Sequence, residues 1–102
     1  MTRELVVLSE AARDIENGID FYEGIEPGVG GYFRDSILSD LQRLGGFFGQ
    51  HAIHFGFHRA LSERFPIAIY YRDRSNFRQV VAILDMRRDP GWIRAQLRTR
   101  DP

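Results

Sequence analysis

Residues 59–90 read RALSERFPIAIYYRDRSNFRQVVAILDMRRDP, and they contain the clearest fold signal in the chain. It contains two runs rich in β-branched and aromatic residues, Phe65–Tyr71 and Val80–Met86, separated by a polar turn at residues 72–76. The first run alternates between two faces. The second is apolar on both faces until Asp85, which predicts a strand covered on both sides. The stretch therefore predicts two neighbouring strands of a small sheet, with arginines at their ends.

The segment that precedes this stretch is predicted to add two strands and two helices. Leu5–Leu8 is a short β-branched run, and Ser9 offers an N-cap for the helix that follows. A Pro/Gly turn at residues 26–31 should end this helix, and a second helix should begin at about Tyr32. From Ile53 to Leu61 apolar residues alternate with polar ones, which indicates one half-buried strand.

These elements predict an α+β domain with the order β-α-α-β-β-β. A strand and a helical hairpin would pack on a small antiparallel sheet, and Gly91–Leu97 would add a short helix. A chain of 102 residues is expected to form one domain over residues 1–102. No linker, repeat or low-complexity segment divides it.

Composition excludes several classes of protein. The chain has no cysteine, so disulfides and thiolate metal sites are excluded. No apolar run approaches the length of a membrane span, and the apolar stretch near the N-terminus is too short for a signal peptide, so a cytoplasmic location is expected. The glycine-rich segment at residues 28–31 follows a helix rather than a strand, so it predicts no phosphate loop, and we expect no cofactor.

The zero net charge hides a division of charge along the chain. Residues 1–52 carry nine acids and four arginines, whereas residues 53–102 carry ten arginines and five acids. All fourteen basic residues are arginine. This division suggests an acidic helical face and a basic face formed by the sheet and tail, and such a basic face could meet RNA, DNA or an acidic partner. The alternative is that solvated helices are often acidic.

The four arginines at strand ends are the strongest candidates for a binding site. If the three C-terminal strands form a meander, Arg59, Arg64, Arg87 and Arg88 can converge on one rim and bind phosphate oxygens. The alternative is ordinary salt bridging with neighbouring acids such as Asp85.

Two aromatic residues extend this candidate site. Tyr70 faces away from Phe65, Ile67, Ile69 and Tyr71, so it could stack on a base or pack under the C-terminal helix. Trp92 could contact the target or pin the tail to the sheet.

The histidines invite a metal interpretation that the spacing does not favour. If residues 53–61 form one strand, His54 and His58 share a face and His51 does not. No acid lies close enough in sequence to complete a site, so we predict no metal and interpret all three as exposed histidines of the sheet face.

The order of four segments resembles the RelE/ParE superfamily of bacterial toxins over nearly the whole chain. AARDIENGIDFYE is similar to the family's first helix, and PGVGGYFRDSI to its interhelical turn and second helix. FHRALSERFPIAIYYR and VAILDMRRDPGW are similar to its later strands and tail. The resemblance implies the toxin of a type II toxin–antitoxin module, held silent in a hetero-oligomer by a cognate antitoxin whose C-terminal segment folds on binding.

Two activities divide that family. Some members cut mRNA on the ribosome and others poison DNA gyrase. Arg59, Arg64 and either Arg87 or Arg88 match arginines of the RNase pattern. However, the last strand ends in Asp85 where several RNase members have histidine, and Trp92 is the only aromatic residue after it.

These departures bear on proton transfer. Asp85 beside two arginines should stay ionised and act as a poor acid, and tryptophan cannot titrate near neutral pH. The resemblance therefore favours a ParE-like toxin. The alternatives are a RelE-like endoribonuclease and a non-toxic module that only binds an antitoxin.

Overall fold

The computed structural model describes residues 4–100 and confirms the α+β architecture, with one additional strand. The elements in chain order are β1 (Glu4–Val7), α1 (Ser9–Ile25), α2 (Val29–Gly46), β2 (Ile53–His54), β3 (Phe57–Leu61), β4 (Ile67–Asp73), β5 (Phe77–Asp85) and α3 (Pro90–Arg100). The two strands predicted from residues 59–90 are β4 and β5.

The five strands form one sheet in the order β1-β5-β4-β3-β2. Strands β3, β4 and β5 form an antiparallel meander, the arrangement on which the predicted arginine rim depends. Strand β1 pairs with β5 in parallel, so the sheet is antiparallel except at this edge. The register between β4 and β5 shifts at Tyr70 and Tyr71, where Val81 is the additional residue of a β-bulge.

The prediction of one strand over residues 53–61 is wrong. The segment folds into a hairpin in which His54 pairs with Phe57 across a two-residue turn. Phe55 and Gly56 both have positive φ, 57° and 88°, the geometry of a type I′ turn. An alternating apolar pattern continues through such a turn, so periodicity alone could not reveal it.

The helical hairpin is held together at its turn by a carboxylate. Both oxygens of Glu23 accept the Gly28 N–H, and one also accepts the Gly30 N–H at 2.9 Å. Helix α2 begins at Val29, three residues before the predicted start. Ser9 is the first residue of α1 rather than its N-cap, which is Leu8.

The sheet has a hydrophobic core on each face. The helical hairpin covers one face, where Phe33, Ile37 and Leu41 pack on residues such as Ile69 and Val80. Helix α3 covers the other face, where it packs on residues that include Tyr70, Val81, Ala82 and Leu84. The sheet is therefore the middle of three layers, with the acidic helices on one side and the arginine-rich α3 on the other.

A buried arginine fixes the connection between α2 and β2. The side chain of Arg78 is 0% exposed and donates hydrogen bonds to the carbonyl oxygens of Leu44, Phe47 and Gly49 at 3.1, 3.0 and 2.9 Å. It also pairs with Asp73 at 2.7 Å. One guanidinium therefore orders a stretch that has no regular secondary structure of its own.

Candidate functional site

Three of the four candidate arginines lie at the same end of the sheet. Arg64 lies in the turn between β3 and β4, and Arg87 and Arg88 follow the end of β5. All three side chains are exposed. The meander brings them to one end because β3 ends, β4 begins and β5 ends there. We call this end, which carries Arg64, Arg87 and Arg88, the open end of the sheet. Arg59 lies apart from them, within β3 and opposite Tyr70.

Arg87 is held by the carboxylate that precedes it. Its Nε and Nη2 atoms donate to the two oxygens of Asp85 at 3.0 and 2.6 Å. The hydrogen bond from the Arg87 side chain is the main reason that the pKa of Asp85 lies below its ordinary value, despite partial burial. Asp85 is thus an ionised carboxylate and a poor proton donor, in agreement with the sequence analysis.

Arg88 lies over the ring of Trp92. The guanidinium carbon is 3.8 Å from the ring centroid, so the two side chains form a cation–π pair. Among residues 4–100 no carboxylate forms an ion pair with Arg88. Arg88 therefore presents a positive charge, positioned by Trp92, at the open end of the sheet.

Of the two roles that the sequence allowed for Tyr70, stacking on a base or packing under the C-terminal helix, the structure shows packing. Its side chain is 0% exposed, in the core beneath α3 with Ile93 and Leu97. Burial raises the pKa of the Tyr70 hydroxyl, and the nearby positive charge of Arg59 partly offsets this. Within this arrangement the Tyr70 ring has no free face on which a base could stack.

A groove lies between helices α1 and α3 and extends to the open end of the sheet. It has a volume of about 430 Å³, and both Arg88 and Trp92 line it. The other lining residues come mainly from α1 (Asp14, Asn17, Gly18, Phe21 and Tyr22), β5 (Ile83, Leu84 and Asp85) and α3 (Gln96 and Arg100). Two of the predicted site residues thus lie in one concave surface.

An ion pair that the sequence did not predict lies inside this groove. Arg100 on α3 donates to both carboxylate oxygens of Asp14 on α1, at 2.5 and 3.0 Å, and both side chains are almost fully buried. The two residues are 86 positions apart, so no spacing in the sequence could have linked them. This pair fixes the position of α3 relative to the helical hairpin.

The histidines are placed differently from the prediction. His54 and His58 lie on opposite faces of the sheet, because the turn at Phe55 and Gly56 reverses the chain between them. His51 and His58 instead gather around Tyr71: the His51 Nδ1 atom is 2.7 Å from the Tyr71 hydroxyl, and the His58 ring stacks on the Tyr71 ring.

These side chains are partly buried rather than exposed. Burial, together with the charge of Arg78, lowers the pKa of His51. Within residues 4–100 no group of three or more histidine, aspartate or glutamate side chains is placed to hold a metal.

The open end of the sheet is suited to binding anions. The pKa of Tyr22, which also lines the groove, is raised mainly by burial, so this hydroxyl stays protonated near neutral pH. The pKa of Asp85 is lowered, so neither group is poised to move protons at pH 7. Guanidiniums that bind negative charge are the chemistry that these residues offer.

A similar fold occurs in one chain of a solved structure. The structure is described as "Chromosomal ParDE TA system from P. aeruginosa". Its matching chain superposes with a TM-score of 0.71 and 21% sequence identity, over 80% of this chain and 94% of that chain. No protein-family model and no curated protein matches the chain. The comparison establishes a shared fold.

The helices of residues 4–100 include none that is both long and apolar enough to cross a bilayer.

Proposed function

We propose that this protein is the toxin of a type II toxin–antitoxin module and acts in the cytoplasm. The observation that carries the proposal is the fold shared with 94% of a chain from a ParDE toxin–antitoxin system. The resemblance of four segments to the RelE/ParE superfamily supports the same assignment. A cognate antitoxin would hold the toxin silent in a hetero-oligomer.

We propose a ParE-like action on DNA gyrase rather than cleavage of mRNA. RNA cleavage by general acid–base chemistry needs a group that can exchange a proton near neutral pH. At the open end of the sheet Asp85 is too acidic for this and Tyr22 too basic. The exposed Arg64, Arg87 and Arg88 are suited to holding a negatively charged target, and Arg59 would contribute from within β3.

The experiment that tests this proposal is pulse-labelling of DNA and protein synthesis within minutes of inducing the chain without its antitoxin. An early arrest of DNA synthesis while translation continues is expected. An early arrest of translation, with mRNA cuts that depend on ribosomes, would favour the RelE-like alternative. If the folded protein accumulates and neither process stops, the chain is a binding module without toxicity.

A double substitution tests the target-contact residues. Arg87→Ala with Arg88→Ala should abolish growth inhibition and leave the fold intact, because both side chains are exposed. The matched control is Arg74→Ala with Arg98→Ala, which removes the same charge from exposed positions outside the groove. Full toxicity of a folded Arg87/Arg88 variant would refute the role of these arginines.

A further inference from the structure

The connection between α2 and β2 ends in a cluster of side chains around Tyr71. The Tyr71 hydroxyl accepts the His51 backbone N–H at 3.0 Å and lies 2.7 Å from the His51 Nδ1 atom. The His58 ring stacks on the Tyr71 ring, and its Nδ1 atom lies 2.6 Å from the His51 carbonyl oxygen. Residues 47–52 belong to no helix or strand, so their path is fixed by these contacts and by the hydrogen bonds of Arg78.

The hydrogen bonds of the cluster determine which ring nitrogens carry protons. A carbonyl oxygen can only accept, so His58 donates to it from a protonated Nδ1 atom. The Tyr71 hydroxyl accepts the His51 backbone N–H, and its own proton is directed to the His51 Nδ1 atom. His51 is therefore a neutral imidazole whose proton is on Nε2.

A proton on the His51 Nδ1 atom is incompatible with this arrangement. The Tyr71 oxygen would then face two donors, and its own O–H group would lose the acceptor that it has among residues 4–100. The Tyr71 side chain is 0% exposed, so bulk water does not replace that acceptor. A buried donor without an acceptor destabilises the state that contains it. The closed cluster therefore requires neutral His51.

The charges that face His51 from the sheet also disfavour its cation. Burial lowers the pKa of His51 most, and the charges of Arg78 on β5 and His58 on β3 lower it further. On β4 the Asp73 carboxylate pairs with Arg78 at 2.7 Å. Within residues 4–100 no carboxylate forms an ion pair with His51. An imidazolium here would lie beside a fixed cation without a counter-charge of its own.

Helix α2 offers no free counter-charge to His51 within the described chain. Asp40 and Arg43 line a concave surface of about 350 Å³ together with Phe47 and His51. Asp40 is buried and accepts a hydrogen bond from Arg43 at 2.6 Å, so its charge is already matched. Movement of His51 out of this surface would open it towards the buried Ile69.

We propose that protonation of the His51 ring releases residues 51–54, including β2, from the rest of the sheet while β3, β4 and β5 stay folded. The release stops at Gly49, because Arg78 donates to the Gly49 carbonyl whatever the protonation state of His51. Strand β2 can separate by itself because it pairs through two positions, whereas β4 and β5 pair through seven. The release depends on neither an antitoxin nor a cellular target.

Amide hydrogen exchange of the full chain at pH 7.5 and pH 5.5, corrected for the intrinsic pH dependence of exchange, tests the release. Two amides report it, the His51 N–H and the Arg59 N–H, which donates to the Ala52 carbonyl at 3.1 Å. Because the opening takes up one proton below the ordinary histidine pKa of 6.5, protection of both amides should fall about tenfold in acid.

The urea dependence of exchange distinguishes local release from global unfolding. At pH 5.5 the His51 and Arg59 amides should exchange with little dependence on urea, because the opening exposes a short segment, whereas amides paired between β4 and β5 should follow global unfolding. The same urea dependence for both groups would show that the whole domain opens, which would overturn the proposal.

A substitution of His51 identifies the titrating group. His51→Asn keeps an oxygen acceptor near the position of Nδ1 but cannot be protonated, so the tenfold change with pH should disappear. The matched control is His54→Asn, within the same segment but on the opposite face of the sheet from His58, and it should retain the change. A change that persists in folded His51→Asn, or is absent from the wild type, overturns the proposal.

Nitrogen NMR of the wild-type histidine rings tests the mechanism without any substitution. At pH 7.5 the proton should be on Nε2 in His51 and on Nδ1 in His58. The His51 ring should gain its second proton over the same pH interval in which protection of the Arg59 amide falls. A proton on the His51 Nδ1 atom at pH 7.5, or a titration that leaves the Arg59 amide unaffected, would overturn the proposal.

Discussion

Replacing Arg78 with methionine should destabilise the protein severely, because Arg78 holds three backbone carbonyls that lie 29 to 34 positions earlier in the chain. The guanidinium is completely buried and makes five hydrogen bonds, to three backbone carbonyls and to both oxygens of Asp73. It also lies over the ring of Tyr71, 4.6 Å from the centroid. Methionine can fill much of the volume, but it satisfies none of these acceptors.

The expected cost follows from the acceptors that are left behind. Breaking a buried ion pair by removing one partner costs about 3–5 kcal/mol. Asp73 keeps a hydrogen bond from Gln50, at 2.8 Å, and the carbonyl of the exposed Phe47 can be hydrated, which favours the lower half of this range. Since a domain of this size has a total stability of about 5–15 kcal/mol, Arg78→Met should remove a large fraction of it.

Urea denaturation followed by circular dichroism measures this loss. Arg78→Lys should lose less than Arg78→Met, because a lysine keeps the charge but cannot reach carbonyls and carboxylate together. Arg74→Met, at an exposed arginine in the turn between β4 and β5, is the control and should stay within about 0.5 kcal/mol of the wild type.

Hydrogen exchange in residues 47–51 reports the local effect, which should be faster exchange in Arg78→Met under native conditions. A loss of less than about 1 kcal/mol, with unchanged exchange in this segment, would refute the claim that Arg78 orders the connection between α2 and β2.

Three further predictions concern backbone packing and titration. Gly30→Ala should lower the free energy of unfolding by about 1–3 kcal/mol, because the new Cβ atom would lie 2.7 Å from the Ile19 carbonyl oxygen. Gly24→Ala, where a Cβ atom meets nothing within 4 Å, should raise it by about 0.5–1 kcal/mol. Equal urea midpoints for the two variants would contradict both expectations. Because the pKa of His51 is lower in the folded protein, the unfolded state binds the imidazole proton more tightly, and stability should fall as pH drops below about 6.5. In urea titrations at pH 5–7.5, His51→Gln should make the stability depend less on pH. Because the pKa of Asp85 is lower in the folded protein than its ordinary value of 3.8, the ionised carboxylate stabilises the fold at pH values above 3.8, and this stabilisation is lost as pH falls through the folded pKa. The stability difference between wild type and Asp85→Asn should therefore shrink in acid. A difference that stays constant with pH would argue against the ion pair with Arg87.

Local patterns predicted most of the fold because the hydrophobic periods of the long elements are strong. The alternation in β4 correctly placed Ile67, Ile69 and Tyr71 on one face and Tyr70 on the other. The exact ends of elements were less predictable. Val29–Gly31 is helical although it contains two glycines, since the Glu23 carboxylate secures the turn before it. That hydrogen-bonded turn leaves no local signature in the pattern of apolar residues.

The candidate site was predictable only in part. The shared position of Arg64, Arg87 and Arg88 at one end of the sheet was predictable. Strand ends in a meander alternate between the two ends of the sheet, so sequence order fixes which end each residue occupies. The groove was not found, because its ion pair joins α1 to α3 and its floor is a strand edge left open where β1 stops. Neither feature depends on residues that are near one another in the chain.

The α+β class, the order of the main elements and the division between acidic helices and a basic C-terminal half could all be predicted from the sequence alone. Those properties depend on hydrophobic periodicity and composition, which are visible within short segments of the sequence. Three contacts became known from the folded chain alone. Tyr70 lies beneath α3, and His51 rather than His54 joins His58 at Tyr71. Asp14 contacts both Arg100 and the backbone of β5. Contacts of this kind depend on strand pairing and helix packing, which bring together residues whose separation along the chain contains no information about their partner.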